Sequence, residues 1–172
     1  MRAVTAVMVA AGVLFAGLSV AGPASALVTA DDGARSSTVN GHTLKVSPAR
    51  EVSRSGVTVT VSGKGYNPTI GIYVAWCVTP KKGFPPSPCG GGINTSGKGA
   101  GSVWVSSNPP PYGKALAVPF KKGGVFKVKL YVSPMIGDVD CRVTSCSVVT
   151  RADHTRTDDR SMDVTVRVTF DR

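Results

Sequence analysis

Three stretches of this chain alternate apolar and polar residues with a period of two. Val57, Val59 and Val61 alternate with Thr58, Thr60 and Ser62. Phe126, Val128, Leu130 and Val132 alternate with Lys127, Lys129 and Tyr131. Val164, Val166, Val168 and Phe170 alternate with Thr165, Arg167 and Thr169. Successive side chains on a strand point to opposite faces, so each stretch reads as a strand buried on one face. Leu44 and Val46 repeat the pattern briefly, and Pro48 ends it. Ile72 to Val78 is apolar on both parities, as a central strand covered on both sides would be. Ser102 to Val105, around Trp104, and Ser147 to Thr150 are shorter candidates.

The pattern predicts seven strands, near 43–47, 56–62, 71–78, 102–105, 124–132, 145–151 and 163–170. Gly63-Lys64-Gly65 and Asn67-Pro68 mark turns between them, and helical periodicity is nearly absent after the first residues. The fold class is therefore all-β, a two-sheet sandwich or a barrel, and seven strands fit an immunoglobulin-like Greek-key sandwich. Two connections, 79–101 and 106–123, are long and rich in Pro and Gly.

Residues 1–26 read differently. Arg2 supplies a positive start, an apolar run extends from Val4 to Val20, and Ala24-Ser25-Ala26 places small residues at −3 and −1. This is the pattern of a secretory signal peptide cut after Ala26, and the cleavage motif argues against a membrane anchor. Residues 27–42 are small, polar and aperiodic, which predicts a flexible leader before a sandwich spanning 43–172. No later apolar stretch would hold the mature chain in a membrane, so a free extracellular monomer is expected. The formal charge of +10 includes Arg2, so the mature chain is basic. Such a charge favours anionic surfaces such as cell-wall polymers, although the Lys and Arg residues are scattered rather than gathered in a run.

The exported part holds all four cysteines, where oxidation is the rule. Four cysteines allow three pairings. The local one, Cys77–Cys89 with Cys141–Cys146, closes two short loops, each contributing roughly 2–3 kcal/mol in the chain-entropy picture. Zinc-type ligation is disfavoured because no Cys-x-x-Cys occurs and neither His lies near a cysteine. No metal or cofactor is expected.

Two regions could carry a site. The first is the charged segment with Arg151, Asp153, His154, Arg156, Asp158, Asp159, Arg160 and Asp163. Catalysis by His154 would need an orienting Asp and a Ser nucleophile, and no G-x-S-x-G elbow accompanies it. Calcium binding by Asp158, Asp159 and Asp163 lacks the D-x-[DN]-x-[DN]-G spacing. The segment reads as a solvated hairpin loop laced by Asp–Arg pairs, with His154 idle. His42 is assigned no role. The second region is aromatic and proline-rich. Phe84, Pro85, Pro86, Trp104, Pro109 to Pro111, Tyr112 and Phe120 lie in or beside the long connections. Pockets are concave and mostly apolar, so Trp76, Phe84, Trp104, Tyr112 and Phe120 are the expected ligand-binding residues. Trp76 precedes Cys77 on one strand, so the two face opposite sides, and one of Trp76 and Trp104 must point away from the core.

The segments LKVSPAREVSRSGVTVTVSGKGYNP, GIYVAWC, DVDCRVTSC and DVTVRVTF, with a second Cys after a Gly/Pro loop, resemble the neocarzinostatin–macromomycin family over residues 43–170. GIYVAWC, PPSPC, SSNPPPYG and VVTRADHTRTDDRSMDV also resemble secreted actinobacterial domains of largely unknown role. The resemblance implies a small secreted protein with a seven-stranded immunoglobulin-like fold and two short-range disulfides, with Cys77 and Cys89 matching the one that floors a ligand cleft. It departs from the family in being basic rather than acidic and in its longer loops. The expectation is a secreted, non-catalytic binding module for a small apolar ligand or a cell-surface partner. The alternative implied by the family is an antibiotic apoprotein that carries an enediyne-type chromophore and delivers it to DNA.

Overall fold

The period-two stretches become strands of two facing antiparallel sheets. The computed structural model describes residues 33–91 and 101–172, so the expected signal peptide lies outside the described residues. Ten strands are found among the described residues: β1 (Arg35–Val39), β2 (His42–Ser47), β3 (Val57–Lys64), β4 (Ile72–Val78), β5 (Ser102–Val105), β6 (Phe126–Val132), β7 (Met135–Ile136), β8 (Val139–Asp140), β9 (Cys146–Ala152) and β10 (Val164–Val168). One sheet has the order β1-β2-β3-β6 and the other β10-β9-β4-β5, while β7 and β8 form a separate two-stranded ribbon. Among the described residues no helix is long and apolar enough to cross a membrane.

The apolar parity of each strand faces the space between the sheets. Val59 and Val61 of β3 lie beside Leu130 and Val128 of β6. Leu44 and Val46 from β2 join them, and the opposite sheet contributes Ile72, Val74, Trp76, Val148, Val164, Val166 and Val168 to the same buried cluster. Trp76 is wholly buried. Its indole Nε1 donates to the Ser133 carbonyl at 2.8 Å, and Phe170 meets its ring edge-on with centroids 6.3 Å apart. Both local disulfides are present, Cys77–Cys89 and Cys141–Cys146, and no cysteine is free.

The expected strand count of seven is corrected to ten. The seven expected strands correspond to β2–β6, β9 and β10, and the additions are β1, β7 and β8. β1 is Arg-Ser-Ser-Thr-Val with mostly exposed side chains, so it has no apolar period to read. It is held by backbone pairing to β2 instead, from Arg35 opposite Val46 to Val39 opposite His42. β7 and β8 have two residues each, too few for any periodicity. The expectation of a flexible leader as far as residue 42 is corrected from Arg35 onward for the same reason. His42 also gains a place: it is nearly buried, its Nδ1 lies 2.7 Å from the Gly65 carbonyl, and its ring stacks on Tyr66 at 5.0 Å.

Tyr66 closes one end of the core. Its hydroxyl lies 3.1 Å from Thr150 Oγ1. Thr150 has one hydroxyl proton, and that proton is directed to the Met162 carbonyl at 2.7 Å. Tyr66 must therefore donate to Thr150, which requires a protonated phenol. Burial raises the Tyr66 pKa well above the ordinary phenol range, outweighing the opposing Thr150 bond. An unfolded tyrosine releases its proton near pH ~10. Above that point the folded state binds more protons than the unfolded one, so stability falls as pH rises. Tyr66→Phe should cost about 1 kcal/mol at neutral pH through the lost hydrogen bond. It should also flatten the alkaline decline, as read by urea unfolding at neutral pH and above pH ~10. An unchanged alkaline decline in the variant would contradict this role.

Candidate functional site

Because β4 is central in its sheet, its two parities serve two environments. Ile72, Val74 and Trp76 face the core. Tyr73, Ala75 and Cys77 face the opposite way, onto the outer surface of the β10-β9-β4-β5 sheet. The register brings Trp104 and Ser102 of β5 beside Tyr73 and Ala75 on that surface. On the other side, β9 places Arg151 beside Tyr73 and Val149 beside Ala75. Ala75, Cys77 and Val149 form a small buried apolar cluster of their own, against which Cys89 packs.

Two loops rise over this surface. The first follows β4 and is drawn back by the Cys77–Cys89 disulfide. Backbone bonds reinforce it, from Val78 N to the Pro88 carbonyl at 3.0 Å and from Gly90 N to the Trp76 carbonyl at 2.7 Å. The second loop follows β9 and carries His154 and Thr157. Between the loops lies a cleft of about 320 Å³. Tyr73, Ala75 and Ser102 form its floor, Pro86, Ser87 and Cys89 one wall, and Arg151, His154 and Thr157 the other. A second depression of about 490 Å³ lies among Gly33, Arg35, Arg50, Glu51 and Thr169, and it lacks an apolar floor.

The second wall is organised by two polar residues. Asp153 is 2% exposed. Its carboxylate accepts from Trp104 Nε1 at 2.9 Å, from the Thr155 amide at 3.0 Å and from Thr155 Oγ1. Its amide donates to the Gly71 carbonyl at 2.8 Å, and a Cβ on Gly71 would strike the carboxylate, so only glycine allows this approach. His154 stands between two phenols, with Nδ1 2.6 Å from the Tyr73 hydroxyl and Nε2 2.6 Å from the Tyr112 hydroxyl. A neutral imidazole has one donor and one acceptor nitrogen, so one phenol donates to the ring and the other accepts from it. Burial, and then the charge of Asp153, raise the Tyr73 pKa, which keeps that phenol protonated. Trp104 meets the imidazole edge-on at 5.2 Å. The short 3₁₀ turn Pro111–Gly113 lies on Trp104, and an added Cβ on Gly113 would run into the indole.

The expected ligand-binding residues are therefore dispersed. Trp104 and Tyr112 come together, rings 6.5 Å apart, but behind the His154 wall rather than on the cleft floor. Trp76 is corrected from cleft to core, because its parity on β4 points inward. Phe120 packs near Tyr66 and Phe126, at 6.5 and 6.1 Å, beside the core. Phe84 is exposed on the turn closed by its amide to the Lys81 carbonyl. The reading of the charged segment as solvated is corrected for Asp153; His154 stays exposed, but both of its nitrogens are hydrogen-bonded rather than idle. Its expected lacing reduces, among the described residues, to the Arg160–Asp163 pair at 3.3 Å. Tyr73, Ala75 and Ser102 were not anticipated, and Arg151 was named only as part of the charged segment, not as a cleft residue. The small Ala75 on the outward parity of an otherwise bulky strand was the available sign of a hollow.

Trp104→Phe removes one donor from the buried Asp153 carboxylate while keeping an aromatic ring in place. It should cost about 1–3 kcal/mol, the range for leaving a buried polar group short of a partner. Chemical unfolding checks this, and a loss close to zero would mean that the loop has another support.

No family model matches the chain, and no curated protein matches it either. Among solved structures the chain is similar to macromomycin, with 22% identity, 75% of this chain and 98% of that chain covered, and a TM-score of 0.47.

Proposed function

We propose that this chain is a secreted, non-catalytic binding module of neocarzinostatin-like type that takes a small apolar ligand in the cleft on the outer face of β4. The observation that carries the reading is the cleft itself, a hollow of about 320 Å³ floored by Tyr73 and Ala75 and walled by Pro86 and the Cys77–Cys89 bridge. Small-molecule pockets run from about 300 to 1,000 Å³ and are mostly apolar with a few polar groups, so this hollow suits a compact ligand. Both walls are tied down, one by a disulfide and one by the Asp153 bonds, so little ordering remains for a ligand to impose. Secretion is supported by the leader pattern of residues 1–26 and by the oxidised state of all four cysteines.

Binding without catalysis is supported by the surroundings of His154. Both of its nitrogens meet phenols, and the nearby Asp153 carboxylate is directed to Trp104 and Thr155. A hydrolytic base would instead need a carboxylate on one nitrogen and a nucleophile on the other.

Phenylnaphthylamine, an uncharged fluorophore that brightens in apolar surroundings, tests the cleft directly. The native protein should show saturable enhancement. Ala75→Phe, which fills the floor, should weaken that binding about tenfold or more, equivalent to at least ~1.4 kcal/mol. Absence of saturable binding, or equal binding by an Ala75→Phe variant with an unchanged thermal midpoint, would overturn the reading.

A further inference from the structure

The cleft has one cationic feature that its apolar floor does not explain. Arg151 sits on the outward parity of β9, directly beside Tyr73 in the ladder, and lines the cleft wall. Its guanidinium Nε is shielded from water and has no hydrogen-bond partner. Among the described residues, ion pairs join Arg142 to Asp140 and Arg160 to Asp163, and none includes Arg151. None of the acids on the adjoining loop pairs with Arg151 at ion-pair distance, although Asp163 lies near enough for the two charges to interact. Asp153 accepts from Trp104 and Thr155, Asp159 accepts from Ser161, and Asp163 pairs with Arg160. His154, the other basic group of the wall, has both nitrogens occupied by Tyr73 and Tyr112.

A guanidinium carries five donors in a fixed planar fork suited to oxyanions, and it stays charged at every physiological pH. Leaving one of those donors buried and unpaired is unfavourable, and the unfavourable term disappears when an acceptor arrives. Hydrogen bonds to a charged partner are also the stronger kind, more so where water is excluded.

We infer that the cleft selects small apolar molecules bearing one oxyanionic group, a carboxylate or its equivalent, with Arg151 as the specificity-determining residue. The inference rests on the ligand-binding reading of the cleft. The ring or hydrocarbon body lies over Ala75 and Tyr73, and the anionic oxygen meets the Arg151 guanidinium. Tyr73 stands beside Arg151 with its hydroxyl committed to His154, so the guanidinium is the cation of this wall whose nitrogens are not taken by a phenol or an ion pair.

Anilinonaphthalene sulfonate and phenylnaphthylamine share the same aromatic body and differ by the sulfonate. The native protein should bind the sulfonate about ten- to a hundredfold more tightly, as a charge-assisted hydrogen bond would produce. Arg151→Met keeps the apolar stem and removes the fork. It should abolish that preference, read as the ratio of the two probes' affinities in the variant. Arg151→Lys should restore part of the preference, because charge returns without the planar fork. Arg167→Met, on the neighbouring strand of the same sheet, serves as the control for overall positive charge and should leave the preference intact. Equal binding of both probes by the native protein, or a preference that survives Arg151→Met or falls equally in Arg167→Met, would overturn the inference while leaving an apolar cleft in place. Failure of the native protein to bind either probe would overturn the cleft reading as well.

Discussion

One apolar layer, shared by two four-stranded sheets, carries the rest of the structure. Neither sheet can keep its inward valines out of water alone, and each supplies the cover for the other. The consequence is visible on β4. Trp76 fills the layer and Cys77, its neighbour, emerges on the far side, so the core and the cleft are built from adjacent residues of one strand. Fixing the core register thereby fixes which side chains the cleft can use, because a slip of one residue would exchange the two sets.

The cleft needs more than a register, since loops must be held above the sheet. One wall is covalent, through Cys77–Cys89. The other depends on a buried carboxylate. Burying an ionised group is unfavourable unless it is fully hydrogen-bonded, and Asp153 meets that condition with an indole, an amide and a hydroxyl. These bonds fix the start of the loop that presents His154. The phenols of Tyr73 and Tyr112 then bracket the imidazole from two further segments. The outcome is a polar lattice behind one side of an otherwise apolar hollow.

Most of the framework was legible because alternation is a local signal. Seven strands, the opposed faces of Trp76 and Cys77, and a local cysteine pairing could all be read from neighbouring residues. What escaped depends on partners distant in sequence. Tyr73 and Tyr112 lie 81 and 42 residues from His154, and nothing periodic announces such a contact. Asp153 looked like one more solvated charge in a charged loop, and its burial follows only from the placement of Trp104 on β5. β1 escaped for the opposite reason. A strand held chiefly by backbone pairing leaves little trace in the pattern of its side chains.

That polar strand bears on how the molecule behaves at high concentration. An open sheet edge offers unpaired amides and carbonyls to any passing chain, and a second copy is the commonest passer-by. β1 lies outside β2 with polar side chains from Arg35 to Thr38 and a single valine, Val39, and Arg35 reaches across to the Arg167 carbonyl of β10, the edge strand of the other sheet. On the far edge of the first sheet, β6 presents Lys127 and Lys129 outward. On the far edge of the second, Val118 pairs beside Val105 of β5. The valine-rich sheets are thus bordered by charge, polarity or covering chain, and edge-to-edge growth into fibres has little to begin from.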